Sequence, residues 1–281
     1  MTDDDLRARD ALVDGVADAM REQLIEWICP HITQTSFSGQ HLTQGVGLGI
    51  RSDIGVDLGE RVGYYVEFAA LLTTLRALSP LMLLRLVDYI AASGDTYADP
   101  AYAPDDLIEV LSRNGSKWTA RWDGDAWRLQ EVVPDGVQVA VESQFDAARG
   151  GVLLRRAWGL AYGVDPNGSE AYRMAVKAVE ASAIPVIQPN DLSPTMGTVI
   201  ARVRDQGWTV PFHENRGYEG NSHEALLRLM QTLWQGQHDR HGAGSVTVDE
   251  ARAALLGAAT LVGWFESGAV TRREQVGPTL P

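Results

Sequence analysis

The stretch from Asp165 to Gly268 constrains the chain most, because it repeats a pattern that only helices satisfy: a cap, an apolar stripe at three-to-four spacing, and a stop. Asp165-Pro166-Asn167-Gly168-Ser169 reads as a turn and an N-cap. Tyr172, Val176, Val179 and Ala183 then share one stripe until Ile184-Pro185 closes the helix. On its polar face lie Arg173, Lys177 and Glu180, the last two spaced as an i,i+3 pair. Thr195 to Asp205 follows, with Met196, Val199, Ile200 and Val203 inward and Gly207-Trp208 as its end. Asn221 to Trp234 is the third helix, with Leu226, Met230 and Leu233 on one ridge and Leu227 and Trp234 beside it. Thr247 and Glu250 have capping-box spacing before a fourth, which carries Leu255, Ala258, Val262 and Phe265 on one face and stops at Gly268.

Most of the remaining chain is also patterned for helix. Leu6 to Ile28 predicts one long helix, with Leu12, Val16, Met20, Leu24 and Trp27 on its apolar stripe and Pro30 ending it. Val62 to Leu78 and Ser79 to Ala92 predict a helical hairpin, with Ser79 as N-cap and Pro80 at the first helical position. Tyr64, Tyr65, Phe68, Leu71, Leu72 and Leu75 are its expected core. Asp105 to Ser112 makes a short helix, and Gln138 to Tyr162 a longer one that buries Phe145, Val152, Leu153, Trp158 and Tyr162. Strand alternation is convincing only in Ser116 to Trp122 and Ala126 to Val133, joined by a turn at Asp123-Gly124. Thr33 to Gly63 reads as an irregular connection. Its Gly45-Val46-Gly47-Leu48-Gly49 lacks both the preceding hydrophobic strand and the third-glycine spacing of a dinucleotide loop. The fold class is therefore mainly α, helical bundle domains with one small β-hairpin. The expected division is an amino-terminal helical domain over 1–114, a hairpin connector over 115–135 and a carboxy-terminal helical domain over 136–281.

A chain of 281 residues that is 45% hydrophobic has room for two modest cores. Its apolar runs, such as Val66 to Leu75 and Leu81 to Val87, are too short for a bilayer. The Met1-Thr2-Asp3-Asp4-Asp5 start lacks a basic signal region, so a cytoplasmic protein with no membrane partner is expected. The single cysteine, Cys29, excludes an internal disulfide and a cysteine-rich zinc site, and it reads as a small buried side chain. A net charge of −13, with Lys117 and Lys177 the only lysines, argues against coating nucleic acid by charge, while a small arginine site stays compatible with it. Trp118, Trp122 and Trp127 lie beside Lys117, Arg121 and Arg128. Packing of the hairpin is the expected role, with stacking on bases as the alternative.

Between the third and fourth helices lies Gln237-His238-Asp239-Arg240-His241-Gly242, the most titratable knot of the region. The helix bearing Ala171-Tyr172-Arg173-Met174-Ala175-Val176-Lys177-Ala178-Val179-Glu180, the helix opening Thr195-Met196-Gly197-Thr198-Val199-Ile200, this knot and the closing apolar helix together resemble the carboxy-terminal domain of bacterial abortive-infection proteins. That domain belongs to the HEPN group of helical nucleotide-binding and ribonuclease-like domains, and the resemblance covers about residues 150–270. It implies a role in phage defence, action on RNA or a nucleotide, and a two-fold homodimer. It would carry the group's arginine onto Arg240. The histidine expected a few residues downstream is missing, since Ala243 to Glu250 contains none, which leaves His241 and His238. Arg216 and His223 meet the bare spacing but precede a different helix.

Metal-free RNA cleavage needs a base near neutral pKa, an acid for the leaving oxygen and a cation for the phosphorane. Arg240, His241, His238 and Asp239 are the candidate catalytic set: imidazole for proton transfer, Arg240 as phosphate clamp and Asp239 as orienting carboxylate, with the next helix N-terminus supporting the anion. Two other readings stay open. His238, Asp239 and His241 could ligate a metal, although contiguous residues rarely converge on one ion; or Asp239 and Arg240 simply brace the loop. No cofactor or metal site is expected. The functional expectation is a phage-defence protein acting on RNA or a nucleotide, and the alternative is a non-enzymatic helical interaction or dimerisation protein that binds a protein partner.

Overall fold

A computed structural model describes residues 15–36, 39–59, 65–93, 103–213, 220–238 and 245–272. Eleven helices and three small antiparallel sheets make up the described residues, so the chain is mainly α with β-hairpins, as the periodicity implies. The chain divides into two compact units, Met1–Val132 with Tyr162–Asp165, and Val133–Ala161 with Pro166–Pro281.

The first unit opens with α1 (Asp18–Ile32). Gly15, at φ 100°, precedes it, so the expected Leu6–Ile28 helix does not run through residues 15–17, and residues 6–14 lie outside the described chain. Pro30 sits inside the last turn rather than ending the helix, where its missing N–H removes only one bond. The expected irregular connection is folded instead. β1 (Thr33–Ser36), β2 (Gly39–Thr43) and β3 (Tyr65–Glu67) pair as one antiparallel sheet, and α2 (Gln44–Ile54) runs through the glycine-rich pentapeptide. Tertiary packing overrides propensity there: Ile50 is buried, and a Cβ at Gly47 would lie 3.2 Å from Leu42 Cδ2. Tyr65–Glu67 being a strand also shortens the expected Val62–Leu78 helix to α3 (Phe68–Ala77). Leu71 and Leu75 are fully buried, Phe68 and Leu72 partly so; Tyr64 lies outside the described residues.

Helix α4 (Pro80–Ser93) starts as expected, with Ser79 Oγ accepting from Met82 N at 3.3 Å. After α5 (Asp105–Arg113), β4 (Trp118–Trp122) and β5 (Trp127–Glu131) form the predicted hairpin in the register Trp118↔Glu131 to Trp122↔Trp127. Asp123 Oδ1 accepts from Asp125 N and Ala126 N, and Gly124 takes φ 110°, which closes its turn. Asp88 of α4 fastens the hairpin, accepting from Leu129 N at 2.7 Å and Arg128 Nη1 at 3.0 Å.

In the second unit the expected Gln138–Tyr162 helix is two helices, α6 (Asp135–Glu142) and α7 (Gly151–Tyr162). The break is steric. A Cβ on Gly151 would collide with the Phe145 carbonyl, and one on Gly150 with Ser182 Oγ and, at 2.7 Å, Ala178 O. The new helical phase points Leu154, Ala157 and Trp158 inward and leaves Val152 74% exposed, contrary to its expected burial.

Helix α8 (Gly168–Ile187) and helix α11 (Val248–Glu266) form the centre. They run parallel: a Cβ on Gly168 would meet Val246 O at 2.6 Å, and near the far end Gly150 lies against both Ala178 and Val262. Both helices bury small residues (Ala171, Ala175, Ala178 and Ser182 on one, Ala251 and Ala258 on the other, all fully buried), side chains that allow close approach of backbone. Asn167 caps α8 by accepting from Glu170 N at 3.0 Å. Pro185 does not close it, since it lies in the final turn and Gln188 N still reaches Ile184 O at 2.8 Å. Helix α9 (Met196–Gln206) begins at a Thr195–Thr198 capping box and ends at Gly207 in the left-handed region. Glu180, spaced for a pair with Lys177, accepts from Met196 N at 2.9 Å through its Oε1, setting a carboxylate on the positive end of α9, while Arg173 is bonded to Glu170. Helix α10 (Asn221–His238) runs one turn past its expected end. β6 (Trp208–Thr209) and β7 (Thr271–Arg272) tie the end of α9 to the segment after α11.

Candidate functional site

Of the four candidate residues in the polar knot, His238 supplies the last backbone position of α10, and its side chain lies outside the description. Asp239, Arg240 and His241 lie outside the described residues altogether. What is described are the flanks, and both attach to the start of α8. Before the knot, Tyr172 Oη donates to Leu233 O at 3.1 Å and fills the space that a Cβ on Gly236 would need. After it, Val246 N donates to Ser169 Oγ at 3.1 Å.

The N-terminus of α11 carries a filled capping box. Thr247 Oγ1 accepts from Glu250 N at 3.2 Å, and Glu250 Oε2 accepts from Thr247 N at 2.9 Å, the reciprocal box that the spacing predicts. Asp249 and Glu250 place two carboxylates in the first turn. This end therefore offers an incoming phosphate less than a bare helix terminus would. The Arg173–Glu170 pair nearby holds the Glu170 carboxyl below its ordinary range, chiefly through the guanidinium hydrogen bonds.

His223, the alternative partner for an arginine, has a structural role: its Nδ1 lies 2.7 Å from Trp208 O. Arg216 is outside the described residues. On the hairpin, Trp118 is buried, and Trp122 and Trp127 meet edge to face at 6.1 Å. Lys117 binds Glu131 at 3.2 Å and Arg128 binds Asp88, so two of the cations beside the tryptophans are matched by carboxylates. That arrangement fits packing better than base stacking. Burial pushes the Asp88 carboxyl above its ordinary range, against the opposing pull of Arg128 and Leu129 N. Burial likewise raises the Cys29 thiol, so the thiolate is disfavoured. Among the described residues no group of three or more His, Cys, Asp or Glu could hold a metal ion, and no helix is long and apolar enough to cross a membrane.

The described residues do form a concave site that periodicity alone did not single out. A groove of about 450 Å³ runs between α6 and α11. One wall is Gly136, Val137, Ala140 and Val141, continued by Gln144; the other is Leu256, Ala259, Thr260, Gly263 and Trp264. Both sets repeat at three-to-four spacing, so each is a single helix face. The groove is lined by small and apolar side chains, and no titratable group lines it. Leu256 is 38% exposed, and Phe212, 53% exposed, meets Trp264 edge to face at 5.5 Å. Its polar groups are the Gln144 amide and the Thr260 hydroxyl, and the rest of the lining can take up apolar side chains. The sequence signal for it is that α11 is apolar on more than one face, with Leu256 and Trp264 lying off the Leu255–Ala258–Val262 stripe. In comparison with known proteins, the chain matches no family model, no curated protein and no solved structure.

Proposed function

We propose that this is a non-enzymatic helical interaction protein whose carboxy-terminal unit binds a protein partner. The observation that supports this reading is the α6–α11 groove: two rows of mostly small and apolar residues, with Ala140, Leu256 and Thr260 exposed at its rim and no titratable lining. A photo-crosslinking residue placed at exposed Thr260 should give a discrete protein adduct in cells that produce the protein, and a bulky Ala140→Trp change in the opposite wall should abolish it. An adduct that survives the blocked groove would reject the reading.

The second reading is the phage-defence protein acting on RNA or a nucleotide through a HEPN-like domain, in which a two-fold dimer completes the site. Its support is local. Two helix N-termini, of α8 and α11, lie side by side where both flanks of the His-Asp-Arg-His knot attach. Against it stand the filled caps and the acidic first turn of α11. Incubating the purified full chain with single-stranded RNA separates the two. Cleavage by wild type that is lost in Arg240→Ala, with an unchanged melting temperature, would install the enzyme reading.

A further inference from the structure

We propose that α2 is a strap that opens as a unit while the rest of the first unit stays folded, lifting its cover from Leu42 of β2. The two ends of the strap are fixed. Leu42 before it is fully buried; after it Gly55, at φ 69°, stops the helix, and Val56 and Leu58 are buried in the core. The eleven residues of α2 itself are held less firmly. Of its described side chains Ile50 alone is buried and Ile54 packs partly, whereas Val46 and Leu48 are 38% and 41% exposed and Arg51, Ser52 and Asp53 are exposed too. Polar contacts add little. Asp53 accepts from Tyr89 Oη at 2.7 Å, an exposed latch to α4 and the one side-chain hydrogen bond from the described residues of α2 to another helix. The Arg51–Asp57 pair, 3.2 Å apart, is exposed on both sides.

Glycine weakens the helix further. Gly45, Gly47 and Gly49 each disfavour the helical state by about fivefold relative to alanine. Packing accounts for Gly47, where a Cβ would lie 3.2 Å from Leu42 Cδ2. It does not account for Gly49. An added Cβ there would find Tyr89 Oη at 3.9 Å as its nearest neighbour, an ordinary contact, so alanine fits and the low stability of α2 is not forced by its surroundings. A helix with poor propensity, one buried anchor and one exposed latch opens well below the free energy of global unfolding. Since Gly47 lies against Leu42, opening removes the cover from a fully buried leucine in the central strand of the β1–β2–β3 sheet. An apolar surface then becomes available on the first unit for a fraction of the time that the Tyr89–Asp53 latch sets.

Native-state hydrogen exchange on the full chain is the test. Amides of α2 should exchange at least about 100-fold faster than those of α1, with little dependence on sub-denaturing urea, whereas α1 should respond steeply because its exchange needs far more surface exposed. Trypsin gives an independent reading, since it should cut the folded chain after Arg51 only when α2 is open. Gly49→Ala should slow that cut about fivefold, because the helix gains propensity without a clash. Tyr89→Phe keeps the ring and drops the hydrogen bond, and should speed it about threefold to tenfold. Exchange from α2 that matches α1 in both rate and urea dependence overturns the proposal. So does a cut at Arg51 whose rate neither variant moves.

Discussion

Asp88 shows how one side chain can be both necessary and costly. Its carboxylate receives the Leu129 N–H and holds the tryptophan hairpin on α4, yet burial raises its pKa, so ionisation is less favourable in the folded chain than in the unfolded one. A raised folded pKa means that its stability contribution is full below the unfolded pKa and is lost as pH rises through the folded one. Asp88→Asn keeps an acceptor for Leu129 N without the charge. Relative to wild type it should gain stability as pH rises above the ordinary carboxylate range, tracked by melting temperature against pH. Asp88→Ala, by contrast, strands a buried donor and should cost about 1–3 kcal/mol at neutral pH in a denaturant titration. Arg240 is the other residue whose role a single change decides. If it clamps phosphate, Arg240→Ala shifts stability by less than ~0.5 kcal/mol and removes RNA binding; if it braces the loop through a buried carboxylate, the loss is on the order of 3 kcal/mol.

At the scale of elements, the glycine pair between α6 and α7 carries a sharp expectation. Gly151→Ala drives a methyl into the Phe145 carbonyl and should destabilise by about 1–3 kcal/mol. Gly159→Ala, inside α7 with nothing within 4 Å of the added carbon, should stabilise by about 0.4–1 kcal/mol in the same chemical-denaturation assay. Thr247→Ala should cost about 1 kcal/mol by opening the α11 capping box. The sequence discloses this box, the Ser79 cap and the stripes of α8 through α11, because each rests on contacts within one helix. It does not disclose the α6–α7 break, since Gly150 is required by Ser182 and Ala178, which are distant in the chain. The helix through Gly45–Gly49 is equally illegible: Leu42 and the packing around Ile50 supply what glycine propensity withholds. For the site, the chain advertises its titratable knot, whereas the groove needs two helix faces brought together, a juxtaposition that no single periodicity contains.

At the scale of the whole molecule, the acidic excess is concentrated in the first unit, while the second is nearly balanced between acid and base. The full chain should therefore pass a heparin column without retention at about 0.15 M salt, where phosphate-binding surfaces depend on clustered cations; retention would revive an RNA-coating role. The parallel pairing of α8 with α11 has a consequence of a different kind, in time. Parallel neighbours cannot be joined by a tight turn, and here everything from Gln188 to Thr247 intervenes. During synthesis, α8 leaves the ribosome with its alanine face complete well before the strand of chain that covers it has been made. The centre of this unit can close only after α11 emerges, so its folding is expected to be slow for a helical domain of its size, with a waiting period in which a chaperone has an uncovered helix to hold.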